Sequence, residues 1–133
     1  MKRMGYLIGL VILLSASECS KKEVSLAGTQ WKVLELRQPN ATNAQLPTKD
    51  YIVEFSADQS IGIKLDINTC FSKYEIKMPG NIAIQPLACT KACCDSELAM
   101  QIVAMLPNMN AFQVKKNKLS LEGAGTIKLV QVE

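Results

Sequence analysis

Apolar and polar side chains alternate along much of this 133-residue chain, and this period of two is the feature that most restricts its fold. The clearest case runs from Ile61 to Ile67, where four aliphatic side chains fall on one face. Lys64 and Asp66 fall on the opposite face. Successive side chains of a β-strand point to opposite faces of a sheet, so this pattern predicts a strand with one buried face. We therefore expect Asp66 to lie on a solvated outer face.

Other segments carry the same signal and are separated by turn sequences such as Pro79-Gly80-Asn81 and Gly123-Ala124-Gly125. Arg37 to Lys49 is polar and contains two prolines, so we expect a surface loop there. Trp31, the only tryptophan, is expected in the core at the base of the fold. The other predicted strands are Thr29 to Leu36, Tyr51 to Phe55, Tyr74 to Met78, Ile82 to Gln85, Phe112 to Lys115, Leu119 to Glu122 and Thr126 to Val132.

One segment departs from this period. Residues 95–106 hold helix formers at most positions, and Leu98, Ile102 and Met105 fall on one stripe. Asp95 is expected to cap the start of this helix, and Pro107 to end it. The sequence thus predicts a mainly β domain of short antiparallel strands, a small barrel or curled sheet with one inserted helix at about 95–106.

The start of the chain has the features of an export signal. Lys2 and Arg3 precede an apolar run from Tyr6 to Leu14, and small residues follow it before Cys19. The run is much shorter than the ~20 apolar residues that span a bilayer. A Cys at this position is typical of a bacterial lipobox, in which the thiol takes a diacylglycerol.

These features divide the chain into a lipoprotein signal peptide (1–18), a lipidated tether (19–27) and a β-domain (28–133). We expect an outer-membrane lipoprotein that faces the periplasm, held to the membrane through Cys19. Glu18 stands where a small residue usually precedes the lipidated Cys. The alternative is therefore ordinary cleavage after Ser17, which would leave a soluble periplasmic protein.

Composition excludes several classes of function. The chain has no histidine, so it has no Ser-His-Asp or Cys-His arrangement. It contains neither a P-loop nor a G-x-G-x-x-G motif. The formal net charge is +3, with no basic stripe interleaved with aromatic residues, so a nucleic-acid partner is not expected. We expect a monomer with no catalytic residues, no cofactor and no resident metal.

Four further cysteines lie in the predicted domain, and an even set in an exported chain indicates disulfides. A bond between neighbours closes a strained ring, so we expect Cys70 to pair with Cys93 or Cys94, and Cys89 with the remaining one. The alternative is a thiol-based metal or redox protein that uses Cys89, Cys93 and Cys94.

Four stretches resemble the META domain family, small bacterial envelope proteins and lipoproteins that include a heat-inducible enterobacterial member. Leu26-Ala27-Gly28-Thr29-Gln30-Trp31 is similar to the opening L-x-G-T-x-W of the family. The others are the strand–turn–strand from Phe55 to Cys70, the segment Thr90-Lys91-Ala92-Cys93-Cys94, and the helix followed by Leu119-Ser120-Leu121. The chain departs from the family after Cys70, where Phe71-Ser72-Lys73 precedes Tyr74, and Cys89 is extra.

The resemblance implies a lipocalin-like barrel with a helix packed against it and no enzymatic activity. We expect binding, or maintenance of the envelope under stress. The partner would be a small apolar ligand in the barrel mouth, or an envelope protein at a strand edge. A further alternative is an inhibitor of envelope proteases that presents the loop from Arg37 to Lys49.

Overall fold

The structure, a computed structural model, describes residues 25–133. The predicted signal peptide, Cys19 and most of the predicted tether lie outside the described residues. The strands are β1 (Thr29–Arg37), β2 (Ile52–Phe55), β3 (Ser60–Lys64), β4 (Thr69–Met78), β5 (Asn81–Ile84), β6 (Ala88–Cys89), β7 (Met109–Lys115), β8 (Lys118–Gly123) and β9 (Gly125–Val132). One helix, α1 (Glu97–Met105), and a 3-10 turn (Leu106–Asn108) lie between β6 and β7.

Eight of these strands close into an antiparallel barrel. The neighbours run in the order β3-β2-β1-β9-β8-β7-β5-β4, and β4 pairs with β3 to complete the circle. The two-residue strand β6 lies beside the first part of β4. The predicted mainly β fold, in its barrel form, is therefore confirmed.

The inward faces of the strands fill the barrel with aliphatic and aromatic side chains. Trp31 is 1% exposed, and its indole N–H donates to the Thr29 hydroxyl at 2.7 Å. This confirms the core position expected for Trp31. Burial of each large side chain contributes roughly 1.5–3 kcal/mol relative to its exposure. Because the barrel closes within residues 25–133, this segment contains a complete core and can fold as a domain.

The helix covers one end of the barrel, which we call the helix end. Ala99, Ile102 and Met105 of α1 are buried, as is Leu106 in the 3-10 turn. The Ala124 N–H, between β8 and β9, donates to the Asn108 carbonyl at 3.1 Å and holds this region against the barrel. The predicted helix is confirmed, but its cap is Ser96, whose Oγ accepts from the Ala99 N–H at 3.2 Å.

The opposite end of the barrel we call the tether end, because the described chain enters there at Ser25. The turns after β2, β4 and β7 lie at this end, since β1 starts there and its neighbours are antiparallel. The Gly28 N–H donates to the Phe55 carbonyl at 2.6 Å and fixes the entering segment to β2.

Candidate functional site

An apolar groove opens at the tether end, between the β4–β5 turn and the end of β7. The two strands share a single ladder position, Asn81 opposite Ala111, and the Phe112 N–H donates to the Gly80 carbonyl at 2.9 Å. The chain turns back at Gly80, whereas β7 continues to Lys115. The resulting gap, the tether-end groove, has a cavity volume of about 1050 Å³. Its floor is formed by Leu26 and Tyr74, and its walls by Ile76 and Met78 of β4 and by Phe112 and Val114 of β7.

The floor of the groove is firmly packed. Leu26 is 1% exposed and Tyr74 is 6% exposed. The Tyr74 ring packs edge-on against Phe55 with centroids 5.0 Å apart, and its hydroxyl donates to the Ser56 carbonyl at 3.2 Å. Burial raises the pKa of Tyr74, so the phenol stays neutral at physiological pH. The floor therefore presents a rigid, uncharged surface.

The walls are apolar but open to solvent, and the length of β4 explains why. The pairing of β3 with β4 ends at Ser60 opposite Lys73, so the rest of β4 projects beyond this neighbour. Ile76 shares the face of buried Tyr74 yet is 38% exposed, and Met78 is 57% exposed. The alternation predicted a strand here, but β3 does not cover Ile76, and a register shift after Ile76 places Met78 opposite exposed Asn81. Ile76 and Met78 therefore present exposed apolar side chains at the groove.

A polar cluster occupies the helix end. The Asp66 carboxylate accepts from Lys49 Nζ at 2.8 Å, from the Tyr51 hydroxyl at 3.0 Å and from the Ser96 N–H at 2.9 Å. The Asp66 side chain is only 7% exposed, and the hydrogen bond from Lys49 holds the pKa of this carboxyl well below its usual range. The prediction of a solvated Asp66 was wrong. Strand β3 ends at Lys64, and the turn that follows folds Asp66 towards Tyr51.

Asn68 and Asp95 extend this cluster. Buried Asn68 accepts from the Thr90 hydroxyl and the Ala92 N–H, both at 2.8 Å, and donates to the Ala92 carbonyl at 2.6 Å. Asp95 accepts from the Ile67 N–H at 2.7 Å, so it closes the turn before β4 and does not cap α1 as predicted. The hydrogen-bonding groups of Asn68 and Asp95 thus find their partners within the protein. The cluster therefore holds the helix and the cysteine-bearing segment against the barrel.

The cysteine pairing differs from the prediction. Cys70 is bonded to Cys89, whose Cα lies 4.0 Å away, because β6 pairs with β4 in the register that places these residues opposite each other. Neither Cys93 nor Cys94, the partners expected for Cys70, is bonded to it. With Cys89 engaged by Cys70, a thiolate set of Cys89, Cys93 and Cys94 is not assembled.

The polar loop predicted from Arg37 to Lys49 is present, but it is tied to the barrel. Leu36 and Gln45 exchange two backbone hydrogen bonds of 2.9 and 2.7 Å, and Lys49 is engaged by Asp66. Cys19 lies outside the described residues. Between residues 25 and 133, no helix is long and apolar enough to cross a membrane.

The fold and the groove define a class of protein, the small antiparallel β-barrels with one end covered by a helix and a ligand-sized opening at the other. The sequence then identifies the family. Residues 24–133 match the META domain, and the chain belongs to the META domain family of bacterial envelope proteins, as its motifs predicted.

Two solved structures share the fold. A protein from Burkholderia xenovorans, determined by NMR, superposes with a TM-score of 0.63 at 14% identity over 80% of this chain and 83% of that one. A DUF4847 family protein from Bacteroides vulgatus gives a TM-score of 0.60 at 15% identity over 79% of this chain and 93% of that one. No curated protein matches the sequence.

Proposed function

We propose that this chain is a non-enzymatic, lipid-anchored protein of the bacterial envelope that holds a small apolar ligand in the tether-end groove. The observation that carries the proposal is the groove itself, with its packed floor and the exposed side chains of Ile76 and Met78. Membership of the META domain family supports the envelope location. The short apolar run and Cys19 support the lipid anchor and a place on the periplasmic face of the outer membrane.

The chemistry of the groove favours a ligand with a hydrocarbon part. Its volume of about 1050 Å³ is that of a pocket for a drug-sized or larger ligand. Ile76, Met78, Phe112 and Val114 offer no hydrogen-bonding side chains, and the phenol of Tyr74 is already bonded. Each methylene that enters such a surface contributes about 0.8 kcal/mol. We place this binding activity in the maintenance of the envelope, including under stress.

The experiment is a titration with the neutral apolar fluorophore N-phenyl-1-naphthylamine. The protein is the mature chain from residue 19, with Cys19→Ser to keep it soluble. We expect saturable binding at about one probe per protein, and a roughly tenfold weaker affinity in Ile76→Asn/Met78→Asn because a wall of the groove becomes polar.

The matched control is Leu46→Asn, which makes the same change at an exposed leucine in the loop at the helix end. Binding that does not saturate, or that Leu46→Asn weakens as much as the groove variant does, would overturn the proposal. Thermal unfolding of each variant verifies that the barrel is intact.

The arrangement of the residues argues against the two alternative functions, a thiol-based metal or redox protein and a protease inhibitor. A metal or redox function based on Cys89, Cys93 and Cys94 requires the Cys70–Cys89 bond to be reduced first. Inhibition of a protease by the loop from Arg37 to Lys49 requires a loop that enters a cleft, whereas Gln45 is bonded to β1. Free-thiol titration and protease-inhibition assays test them directly.

A further inference from the structure

We propose that the tether-end groove takes up an anionic phospholipid from the bilayer to which the protein is anchored. This inference rests on the proposed function and names its ligand. It draws on two independent features, the position of the groove relative to the anchor and the charge around its rim.

The groove lies at the end of the barrel nearest to the predicted anchor. Ser25 lines the groove, and it follows Cys19 by only six positions in the chain. Even a fully extended chain of that length reaches only about 20 Å. Lipidation of Cys19 would therefore keep the groove close to the lipid surface. A tether this short gives the groove a high effective concentration of membrane lipid.

Lysines lie on two sides of the groove, on β4 and in the hairpin that follows β7. Lys77 lines it, and Lys115, Lys116 and Lys118 follow Val114 in the exposed hairpin between β7 and β8. None of the three ion pairs within residues 25–133 includes any of these four lysines. Their charge is thus available to a ligand, and a phosphate is a suitable partner for an ammonium group.

Four acidic residues lie near the same end, and one of them, Glu54 of β2, accepts from the Gln30 side-chain amide at 3.4 Å. Asp58 lies in the turn after β2, where hydrogen bonds from Ser60 lower the pKa of its carboxyl. Glu75 lies on the exposed face of β4, and Glu133 follows β9. The segment from Ala111 to Leu121 carries three lysines and no acidic residue, so the β7 side of the groove is positive. Apolar walls beside a basic rim match an acyl chain joined to a phosphate head group.

The test exposes the mature Cys19→Ser chain to vesicles of phosphatidylglycerol or of phosphatidylcholine. The protein is then re-isolated by size exclusion, and its phospholipid is measured by mass spectrometry. We expect about one phosphatidylglycerol per protein and much less phosphatidylcholine. Lys77→Glu/Lys116→Glu should lower the uptake of phosphatidylglycerol roughly tenfold. Its matched control, Lys64→Glu/Lys91→Glu, reverses two exposed lysines away from the groove and should leave uptake unchanged.

Ile76→Asn/Met78→Asn separates uptake into the groove from adsorption to the surface, because it keeps every charge. Loss of phospholipid in this variant supports the inference, whereas unchanged uptake overturns it.

If N-phenyl-1-naphthylamine binds but phosphatidylglycerol is not retained, the inference fails and the proposed function stands. If neither binds, both fail. Equal uptake of phosphatidylglycerol and phosphatidylcholine would overturn the inference that the charge of the head group selects the ligand. Uptake by the Cys19→Ser chain but not by the lipidated protein would show that the protein's own lipid occupies the groove, and would overturn a bilayer source.

Discussion

The hydroxyl of Tyr51 lies 3.0 Å from Oδ1 of Asp66, and this contact joins the segment before β2 to the turn after β3. The same hydroxyl lies 3.0 Å from Oγ of Ser96, the residue that caps α1. One phenol thus connects two barrel segments to the start of the helix. The helix end of the barrel depends on this connection for its closure.

Tyr51→Phe should destabilise the domain without changing the groove. The substitution keeps the ring in the core and removes a hydroxyl that bonds both Asp66 and Ser96. We expect a loss of about 1–2 kcal/mol in the free energy of unfolding. Urea denaturation measures this loss. Tyr74→Phe is the matched control because its hydroxyl bonds only one backbone carbonyl, and a larger loss in that variant would contradict the role assigned to Tyr51.

Acid should weaken the same region through Asp66. The hydrogen bond from Lys49 lowers the pKa of this carboxyl in the folded state, so the unfolded chain binds the proton more readily. The stabilising contribution is therefore complete above the ordinary carboxyl pKa of about 3.9 and is lost as the pH falls below it, through the lower folded pKa. Unfolding curves from pH 7 to pH 2 should show this loss.

Asp66→Asn provides the check on that assignment. The variant should be less stable than the parent at pH 7, and its stability should fall less steeply below pH 4 because the titrating group is gone. Glu75→Gln, on the exposed face of β4, serves as the control. An acid dependence that is identical in the parent and in Asp66→Asn would show that another group controls it.

Peptide mapping should recover the Cys70–Cys89 bond. Trypsin cleaves after Lys64, Lys73, Lys77 and Lys91, so Cys70, Cys89 and the Cys93-Cys94 pair fall in three different peptides. Without reduction, the first two peptides should remain linked, and the third should carry no link to either. A bridge from Cys70 to the Cys93-Cys94 peptide would restore the pairing expected from sequence.

The two cysteine pairs should also differ in their effect on stability. Replacing Cys70 and Cys89 with alanine should cost roughly 3 kcal/mol, since their bond closes a loop between residues 19 positions apart. Replacing Cys93 and Cys94 with serine should cost much less, because a bond between adjacent residues would close almost no chain. Equal losses in the two double variants, measured by urea denaturation, would contradict this.

Period-two patterns predict strands well because a strand needs only a local alternation, and β1, β2, β5, β8 and β9 begin and end close to the predicted positions. Three findings depend on contacts between residues that are far apart in the sequence, and a local alternation cannot predict such contacts. Asp66 is drawn inwards by Tyr51 and Ser96, and Cys70 finds Cys89 through the short strand β6. Ile76 is exposed in the groove because β4 is longer than its neighbour, so this exposure depends on where β3 starts. The apolar alternation of Tyr74, Ile76 and Met78 gave a signal, but the register shift between Ile76 and Met78 could not be predicted from it.

The proposed location of the groove at the membrane depends on the predicted lipidation of Cys19. Cys19→Ser removes the thiol that would take the diacylglycerol, so the protein should move from the membrane fraction to the soluble fraction of cells. The intact mass of the wild-type mature protein should correspond to a lipidated chain that starts at Cys19. An unmodified chain that starts at Glu18 would instead indicate ordinary cleavage after Ser17. Leu46→Asn, changed at an exposed loop of the domain, should stay with the membrane and so verify that fractionation follows the anchor.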